Sequence, residues 1–154
     1  MGIKDLVSEI TSILPGFSGY YEKEKRREED KLLRDYLFKK IEDIEKKVYE
    51  RIKKITKSKE MKEIEKYVSI TKEIERLKDS IRYSSYGYKG FFDIVDVNEE
   101  TLEEIMNVDI GLIKMVKEMK EETIDDFNSL SAFLKDFEKL FEERKKIILG
   151  YKEV

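Results

Sequence analysis

Apolar residues recur at intervals of three and four along most of the chain, the spacing that places them on one face of an α-helix. The longest such stripe predicts a helix over residues 20–56, and the next predicts a helix over residues 59–84. Only a short connection, near Ser58, separates the two, and helices joined by short connections pack as antiparallel neighbours. The chain is therefore expected to run out along the first helix and back along the second.

A shorter amphipathic helix is predicted at the start of the sequence. Apolar residues at helical spacing place it over residues 1–14, and Pro15 with Gly16 ends it. Two environments suit its apolar face, a membrane surface or the rest of the helical body. Its polar face lacks the basic cluster that membrane-lying helices usually carry, so we prefer docking onto the body.

The C-terminal third repeats the helical spacing with hardly a break in register. One continuous helix would be far longer than its potential partners, so we prefer two helices. Asp, Asn and Ser cluster in residues 125–129, which predicts a turn there. This gives helices over residues 98–124 and 129–150, the first with Asn98 as its N-cap.

Together these segments predict an all-α fold in a single domain over residues 1–154. The architecture expected is a short N-terminal helix plus an elongated antiparallel four-helix bundle with coiled-coil-like packing. The predicted core consists of Leu33, Leu37, Ile41, Ile44, Val48, Ile52, Ile64, Val68, Ile74, Leu77, Ile81, Ile113, Val116, Phe127, Leu134, Phe137 and Phe141.

Two breaks in the helical pattern are rich in glycine and aromatic residues. The first covers residues 14–21, and the second, residues 82–97, gathers five aromatics around Gly87 and Gly90. The return of the second long helix brings both breaks to one end of the bundle, which we call the aromatic end. Its rings either pack inside and close that end of the bundle or form a docking surface. Both can be true, with some rings buried and others exposed. A β-hairpin over residues 85–97 is a further alternative.

A partner-binding surface is predicted at the aromatic end, because aromatic and arginine side chains are enriched where interfaces gain their energy. Residues 22–31 include no apolar side chain, which is typical of a solvated helix face. That face also offers arginines to a partner. The candidate partner-binding residues are Phe17, Tyr20, Tyr21, Arg26, Arg27, Arg82, Tyr86, Tyr88, Phe91 and Phe92.

Composition excludes most catalytic chemistry. The chain contains neither His nor Cys, so the commonest zinc sites, cysteine nucleophiles, histidine bases and disulfides cannot form. It also has no glycine-rich phosphate loop. We therefore predict no catalytic residue, no metal site, no cofactor and no small-molecule substrate. The high charged fraction, 44%, and the absence of Gln are typical of thermophilic or archaeal proteins.

The turn between the two long helices is strongly basic. Among residues 51–62 only Glu60 is acidic, and we call the six bases there the lysine tip: Arg51, Lys53, Lys54, Lys57, Lys59 and Lys62. A basic tip is typical of proteins that bind nucleic acid or an anionic membrane surface. However, a turn in residues 125–129 would place acidic residues beside this tip, and the net charge of −3 argues against nucleic acid. A membrane surface remains an alternative partner.

No segment approaches the roughly 20 consecutive apolar residues of a membrane span. The first residues also lack the basic and apolar regions of a signal peptide. The expected location is the cytoplasm.

A resemblance is carried by two segments, LPGFSGYYEKEKRREEDKLLR (residues 14–34) and IRYSSYGYKGFFD (residues 81–93). They resemble an uncharacterised family of small helical proteins from bacteria and archaea. The resemblance implies no catalytic residue, but it marks both breaks, and hence the aromatic end, as the place where family identity lies. The chain is also similar to prefoldin-like pairs of coiled-coil helices, but helical segments before and after the main pair depart from that pattern.

The function expected is a non-enzymatic protein–protein interaction or scaffold module that binds through the aromatic end. Its partner is another protein or a second copy of the chain. The first alternative is a peripheral membrane protein that uses the N-terminal amphipathic helix and the lysine tip. The second alternative is an enzyme that uses carboxylates with Mg²⁺.

Overall fold

The computed structural model describes residues 2–84, 92 and 97–150. These residues form six α-helices and no strand, so the prediction of an all-α fold is confirmed. The predicted alternative of a hairpin over residues 85–97 lies largely outside the described residues. The helices are α1 (Ile3–Thr11), α2 (Arg26–Ser58), α3 (Met61–Arg82), α4 (Glu99–Lys117), α5 (Glu121–Asp125) and α6 (Phe127–Gly150).

The first long helix begins later than its pattern predicts. Residues 20–22 are not helical, and a 3-10 turn (Lys23–Lys25) precedes α2. Tyr20 has a φ of +64°, in the left-handed region. A right-handed helix requires a negative φ, so α2 cannot extend back through this residue. The short N-terminal helix likewise ends at Thr11 instead of residue 14.

The C-terminal third contains two breaks where one was predicted. Helix α4 ends at Lys117, and the short α5 follows before α6 begins. The predicted turn in residues 125–129 is present, but it is only one residue wide, because Asp126 alone is extended (φ −109°, ψ 109°) between α5 and α6. The N-cap is as predicted: the Asn98 side chain accepts a hydrogen bond of 2.8 Å from the Thr101 amide.

Helix α2 packs along α3, and α4 packs along α6. Helix α1 lies on α4, while α2 also contacts α4 and α5. At one end of the first pair, Arg34 donates hydrogen bonds to the carbonyls of Ile81 (3.1 Å) and Arg82 (2.8 Å). Towards the other end, the Arg51 guanidinium lies 6.0 Å from the centre of the Tyr67 ring. The start of α2 therefore lies beside the end of α3.

The apolar stripes meet in one core, and most of the predicted core residues are buried in it. Val68 is the clear exception, because it is 43% exposed. The buried residues of α3 nearest Val68 are Tyr67, Ile70 and Thr71, and beyond them Ile74, Leu77 and Ile81 are buried as predicted. Ile52, Ile64 and Phe127 are only partly buried and pack against the rim of the core.

None of the described helices combines the length and the apolar character that crossing a bilayer requires.

Candidate functional site

A buried carboxylate fixes the first glycine-rich break. One oxygen of Glu29 accepts hydrogen bonds from the backbone amides of Ser18, Gly19 (3.1 Å) and Tyr20 (3.5 Å), and from the Ser18 hydroxyl (3.1 Å). Successive amides that converge in this way form an anion-binding concavity, which here is filled by the protein's own side chain. The backbone of the break is therefore held from inside the fold.

Gly19 is required for this arrangement. Its φ of +97° disfavours any side chain, and an added Cβ would lie 2.8 Å from the Tyr21 ring and 2.9 Å from Val7. The close approach brings the Tyr21 ring over the break and beside α1. Tyr21 itself remains 47% exposed.

Tyr20 leads from the break into a cluster of buried charges. Its ring is fully buried and meets Phe17 edge to face at 5.0 Å. Its hydroxyl donates to Asp109 Oδ2 at 2.5 Å and accepts from Arg144 Nη2 at 3.1 Å. The hydroxyl is thus held between a carboxylate and a guanidinium.

Arg144 of α6 joins α2, α4 and the first break through this cluster. Its Nε donates to Asp109 Oδ1 and its Nη1 donates to Asp30 Oδ1, both at 2.6 Å. The second oxygen of Asp30 accepts from Arg34 Nε at 2.8 Å. We call Tyr20, Asp30, Arg34, Asp109 and Arg144 the buried ion cluster; it contains two carboxylates and two guanidiniums, so its charges balance.

Burial dominates the electrostatics of the cluster. Loss of solvent raises the pKa of the Asp109 carboxyl, and Arg144 and the Tyr20 hydroxyl act in the opposite direction. Loss of solvent, followed by the nearby Asp109 carboxylate, raises the pKa of the Tyr20 phenol well above its usual value of 10.0. Tyr20 therefore stays protonated and serves as a hydrogen-bond donor.

The prediction that residues 22–31 form a solvated face is wrong for one side of the helix. Arg26, Glu29 and Asp30 are almost fully buried, and Arg26 Nε donates to the Tyr20 carbonyl at 2.8 Å. These residues continue the three-and-four spacing of the α2 stripe towards the N-terminus from Leu33. The spacing was visible in the sequence, but the partners that make this burial favourable lie in other segments: the first break for Arg26 and Glu29, and α6 for Asp30.

The predicted partner-binding residues that the structure describes are divided between the buried core and the solvent-exposed surface. Phe17, Tyr20, Phe92 and Arg26 are buried and cannot contact a partner in this conformation. Those that reach solvent are Tyr21, Arg27 and Arg82, while Tyr86, Tyr88 and Phe91 lie outside the described residues.

Exposed arginines lie over aromatic rings at this end. The Arg27 guanidinium is 4.9 Å from the centre of the Phe92 ring, which links the start of α2 to the second break. The Arg82 guanidinium is 3.9 Å from the centre of the Phe38 ring. Tyr83, which the predicted site omitted, is 70% exposed beside Arg82.

The lysine tip is exposed, and its base meets acidic residues of α5. Arg51 Nε lies 3.9 Å from Asp125 Oδ1, and Lys47 Nζ lies 3.9 Å from Glu121 Oε1. The expected acidic neighbours are thus present at this end of the molecule. Within the described parts of the chain they pair with the base of the tip and with none of its five lysines.

A shallow groove of about 260 Å³ lies between α1 and α4. Its floor is apolar and includes Ile13 and Ile113, and a salt bridge of 3.5 Å between Glu9 and Lys114 crosses its edge. Basic and acidic side chains alternate around it, so the groove favours neither sign of charge. Over residues 2–84, 92 and 97–150, no group of three or more acidic side chains is placed to hold a metal ion.

Comparisons with known proteins add no relative from which a function can be transferred. Searches against protein-family models, curated proteins and solved structures find no significant match to this chain.

Proposed function

We propose that the protein is a non-enzymatic interaction module that binds another protein through the solvent-facing part of its aromatic end. The observation that carries the proposal is the exposure of Tyr21 (47%) and Tyr83 (70%) at an end whose backbone is fixed from within. Arg27 and Arg82 are exposed beside them. Tyrosine and arginine are the residue types most often responsible for binding energy in protein interfaces.

The buried part of the aromatic end supports this proposal by providing rigidity. Glu29 holds three successive amides, and Tyr20 is anchored by Asp109 and Arg144. A surface that is already ordered loses less conformational entropy when a partner binds. The rings that cannot reach a partner therefore contribute indirectly, by fixing the backbone from which Tyr21 projects.

The partner expected is a protein surface that offers carboxylates beside apolar side chains. Arg27 and Arg82 each stack on an aromatic ring here, and a guanidinium is the side-chain group that best forms paired hydrogen bonds with a carboxylate. The tyrosine rings supply apolar contact area with few rotatable bonds. A second copy of this chain also offers these groups. Self-association is therefore tested together with binding to another protein.

We infer further that the four longer helices form an elongated antiparallel bundle. The hydrogen bonds from Arg34 to the end of α3 support opposite directions for α2 and α3. Two contacts support the same arrangement for α4 and α6: Asp109 pairs with Arg144, and Leu140 lies against Gly111, so contacts move back along α6 as they move forward along α4. In such a bundle the aromatic end and the lysine tip lie at opposite ends.

The test is affinity capture from native extract with three proteins of equal fold. The Tyr21→Ala/Tyr83→Ala variant removes both exposed rings, and Tyr49→Ala is the matched control because Tyr49 is equally exposed (48%) in the middle of α2. Truncation of one binding hot spot costs about 2 kcal/mol, or roughly thirtyfold in Kd. A partner retained by wild type and Tyr49→Ala and lost by the double variant is expected.

Equal capture by the double variant and the control would contradict the proposal, provided that circular dichroism shows all three proteins folded. Sedimentation of the purified proteins tests self-association. A dimer of wild type that the double variant loses would identify a second copy of the chain as the partner.

A further inference from the structure

The turn between α2 and α3 projects beyond the rest of the described structure. Every residue from 56 to 62 is exposed. The polar contacts that join this helix pair to α5 are made outside the turn. Arg51 pairs with Asp125, and the Tyr67 hydroxyl donates to the Ile124 carbonyl at 2.6 Å. At about 1.5 Å per residue, α2 continues for about 10 Å from Arg51 to Ser58, and Lys54 is its last residue that lines a crevice with Glu121 and Asp125 of α5. The return along α3 from Met61 to Tyr67 is of similar length.

The projecting part is positively charged, and only its innermost lysine, Lys54, lies near acids of α5. Its five lysines, Lys53, Lys54, Lys57, Lys59 and Lys62, share the tip with one acid, Glu60. Among the described residues, no carboxylate forms an ion pair with any of the five. The screening length is about 8 Å at physiological ionic strength, so the acids of α5 hardly weaken the field at the apex.

The backbone at the apex is in a conformation that favours glycine. Lys59 caps α2 with a φ of +60° and a ψ of 27°, the left-handed position at which glycine or asparagine usually ends a helix. A lysine there is strained relative to glycine. Strain at an exposed turn is informative because the fold does not require this side chain, so the ammonium group is retained at a cost to stability.

Met61 gives the apex an apolar point. It is 64% exposed, and it follows the strained lysine by two residues and precedes Lys62. An apolar side chain surrounded by lysines matches the composition of segments that enter the boundary between lipid headgroups and acyl chains. Aromatic stacking partners for nucleic acid bases are lacking at the apex, since the nearest ring, Tyr67, is buried.

We propose that the lysine tip docks onto an anionic lipid bilayer, with Met61 entering the headgroup boundary and the five lysines lying over the lipid phosphates. Lysine, a compact charge on a flexible stem, suits a diffuse anionic surface, whereas arginine is favoured for paired recognition of single phosphates. The only arginine of the tip, Arg51, is engaged at its base. The net charge of −3 repels the rest of the protein from such a surface and so orients it tip first.

The N-terminal helix takes no part in this docking. Leu6 and Ile10 are fully buried, because the apolar face of α1 lies on α4. Membrane binding in this protein is thus assigned to the helical turn alone, which is different from the arrangement expected from the amphipathic pattern of residues 1–14.

The test is flotation with vesicles of phosphatidylcholine, with and without phosphatidylserine, at low and at physiological ionic strength. Each lysine near an anionic surface contributes about fivefold to binding. The tip variant carries Lys53→Gln, Lys57→Gln, Lys59→Gly and Lys62→Gln. The control variant removes the same four charges from exposed positions away from the tip: Lys39→Gln, Lys46→Gln, Lys72→Gln and Lys139→Gln.

Wild type is expected to float with anionic vesicles, more strongly at low ionic strength, and not with neutral ones. The tip variant is expected to lose about a hundredfold in binding or more, and the control variant less than about threefold. Met61→Ser is expected to lose up to about tenfold without changing the salt dependence. The Tyr21→Ala/Tyr83→Ala variant is expected to float like wild type, which separates this proposal from the protein-binding one.

Three outcomes would overturn the proposal. One is the absence of wild-type flotation with anionic vesicles at low ionic strength. Another is equal loss in the tip and control variants, which would show a dependence on net charge alone. The third is tip-dependent binding of an RNA or acidic-peptide probe under conditions where the vesicles are not bound.

Discussion

Tyr20 has one side chain and three structural roles. Its backbone occupies the left-handed region at the end of the first break, its carbonyl accepts from Arg26, and its hydroxyl completes the buried ion cluster. Ion pairs in a protein interior offset their desolvation only when further hydrogen bonds satisfy the remaining polar atoms. The Tyr20 hydroxyl provides this for Asp109, so a change as small as loss of one oxygen atom should be measurable.

The first prediction concerns the pH dependence that Tyr20 gives to stability. Burial raises its pKa well above 10.0, whereas the unfolded phenol ionises near pH 10. The free energy of unfolding is therefore insensitive to this group below about pH 10 and falls as the pH rises towards the folded-state pKa, by at most about 1.4 kcal/mol per pH unit. Tyr20→Phe should lack this part of the decline.

Urea unfolding of wild type and Tyr20→Phe between about pH 8 and pH 11 provides the measurement. Near neutral pH the variant should be less stable by about 1–3 kcal/mol, because Asp109 keeps an unpaired oxygen in the core. Burial also raises the pKa of Tyr36 and Tyr67, but both proteins share these groups. Parallel stability curves for the two proteins above pH 10 would show that Tyr20 does not titrate as inferred.

At the scale of single elements, the cap of α2 makes a prediction with an internal control. Lys59→Gly should stabilise the protein by about 0.5–1 kcal/mol, because glycine adopts the φ of +60° without a steric cost. Lys57→Gly, two residues earlier and still inside the helix, should destabilise it by about 1 kcal/mol. Both changes remove one exposed lysine, so the opposite signs separate backbone conformation from charge.

Denaturant titration of the two glycine variants and wild type measures both effects on one scale. Destabilisation by Lys59→Gly would mean that the Lys59 side chain makes a stabilising contact that outweighs the strain of its backbone.

Long helices could be predicted from the sequence because their apolar stripes are local and regular. The stripe of α2 and that of α3 place both helices to within a few residues, apart from the start of α2. That start depends on Tyr20 and on the amides held by Glu29, which are contacts between separate segments. The end of α4 at Lys117 was missed for a different reason: the apolar spacing continues across the break through Met119 and Ile124.

The buried ion cluster shows where pattern alone is insufficient. Asp30, Asp109 and Arg144 each occupy a position at which the stripe of their helix calls for an apolar residue. In the sequence each of these residues interrupts the apolar stripe of its own helix. The pairing cannot be recognised from the sequence, because the partners are 35 and 114 residues apart. Only the packing of α2, α4 and α6 shows that the three interruptions coincide.

At the scale of the whole molecule, Arg144 connects α6 with α2, α4 and the first break. Arg144→Met keeps the size of the side chain and leaves Asp30 and Asp109 without their shared partner, which should cost about 3–5 kcal/mol of stability. Addition of Asp30→Asn and Asp109→Asn should recover part of this loss, chiefly because Asp109 would otherwise stay buried without a cation, whereas Asp30 has Arg34 as a second partner.

Chemical denaturation provides the measurement, with Arg76→Met as the control. Arg76 is exposed on α3, so its substitution should change stability by no more than about 0.5 kcal/mol. A cost below about 1 kcal/mol for Arg144→Met, or no recovery in the triple variant, would show that the cluster does not hold the helices together.

The sequence separation within the cluster also has a consequence for the order of folding. Asp30 and Arg144 lie 114 residues apart, and Tyr20 and Arg144 lie 124 apart. A growing chain that has produced α2, α3 and α4 can pair Asp30 with Arg34 but leaves Asp109 without a cation, so burial of Asp109 is penalised until α6 is present. Contacts of such long range are slow to form. We therefore expect the buried ion cluster to be completed late in folding, when α6 packs onto α2 and α4.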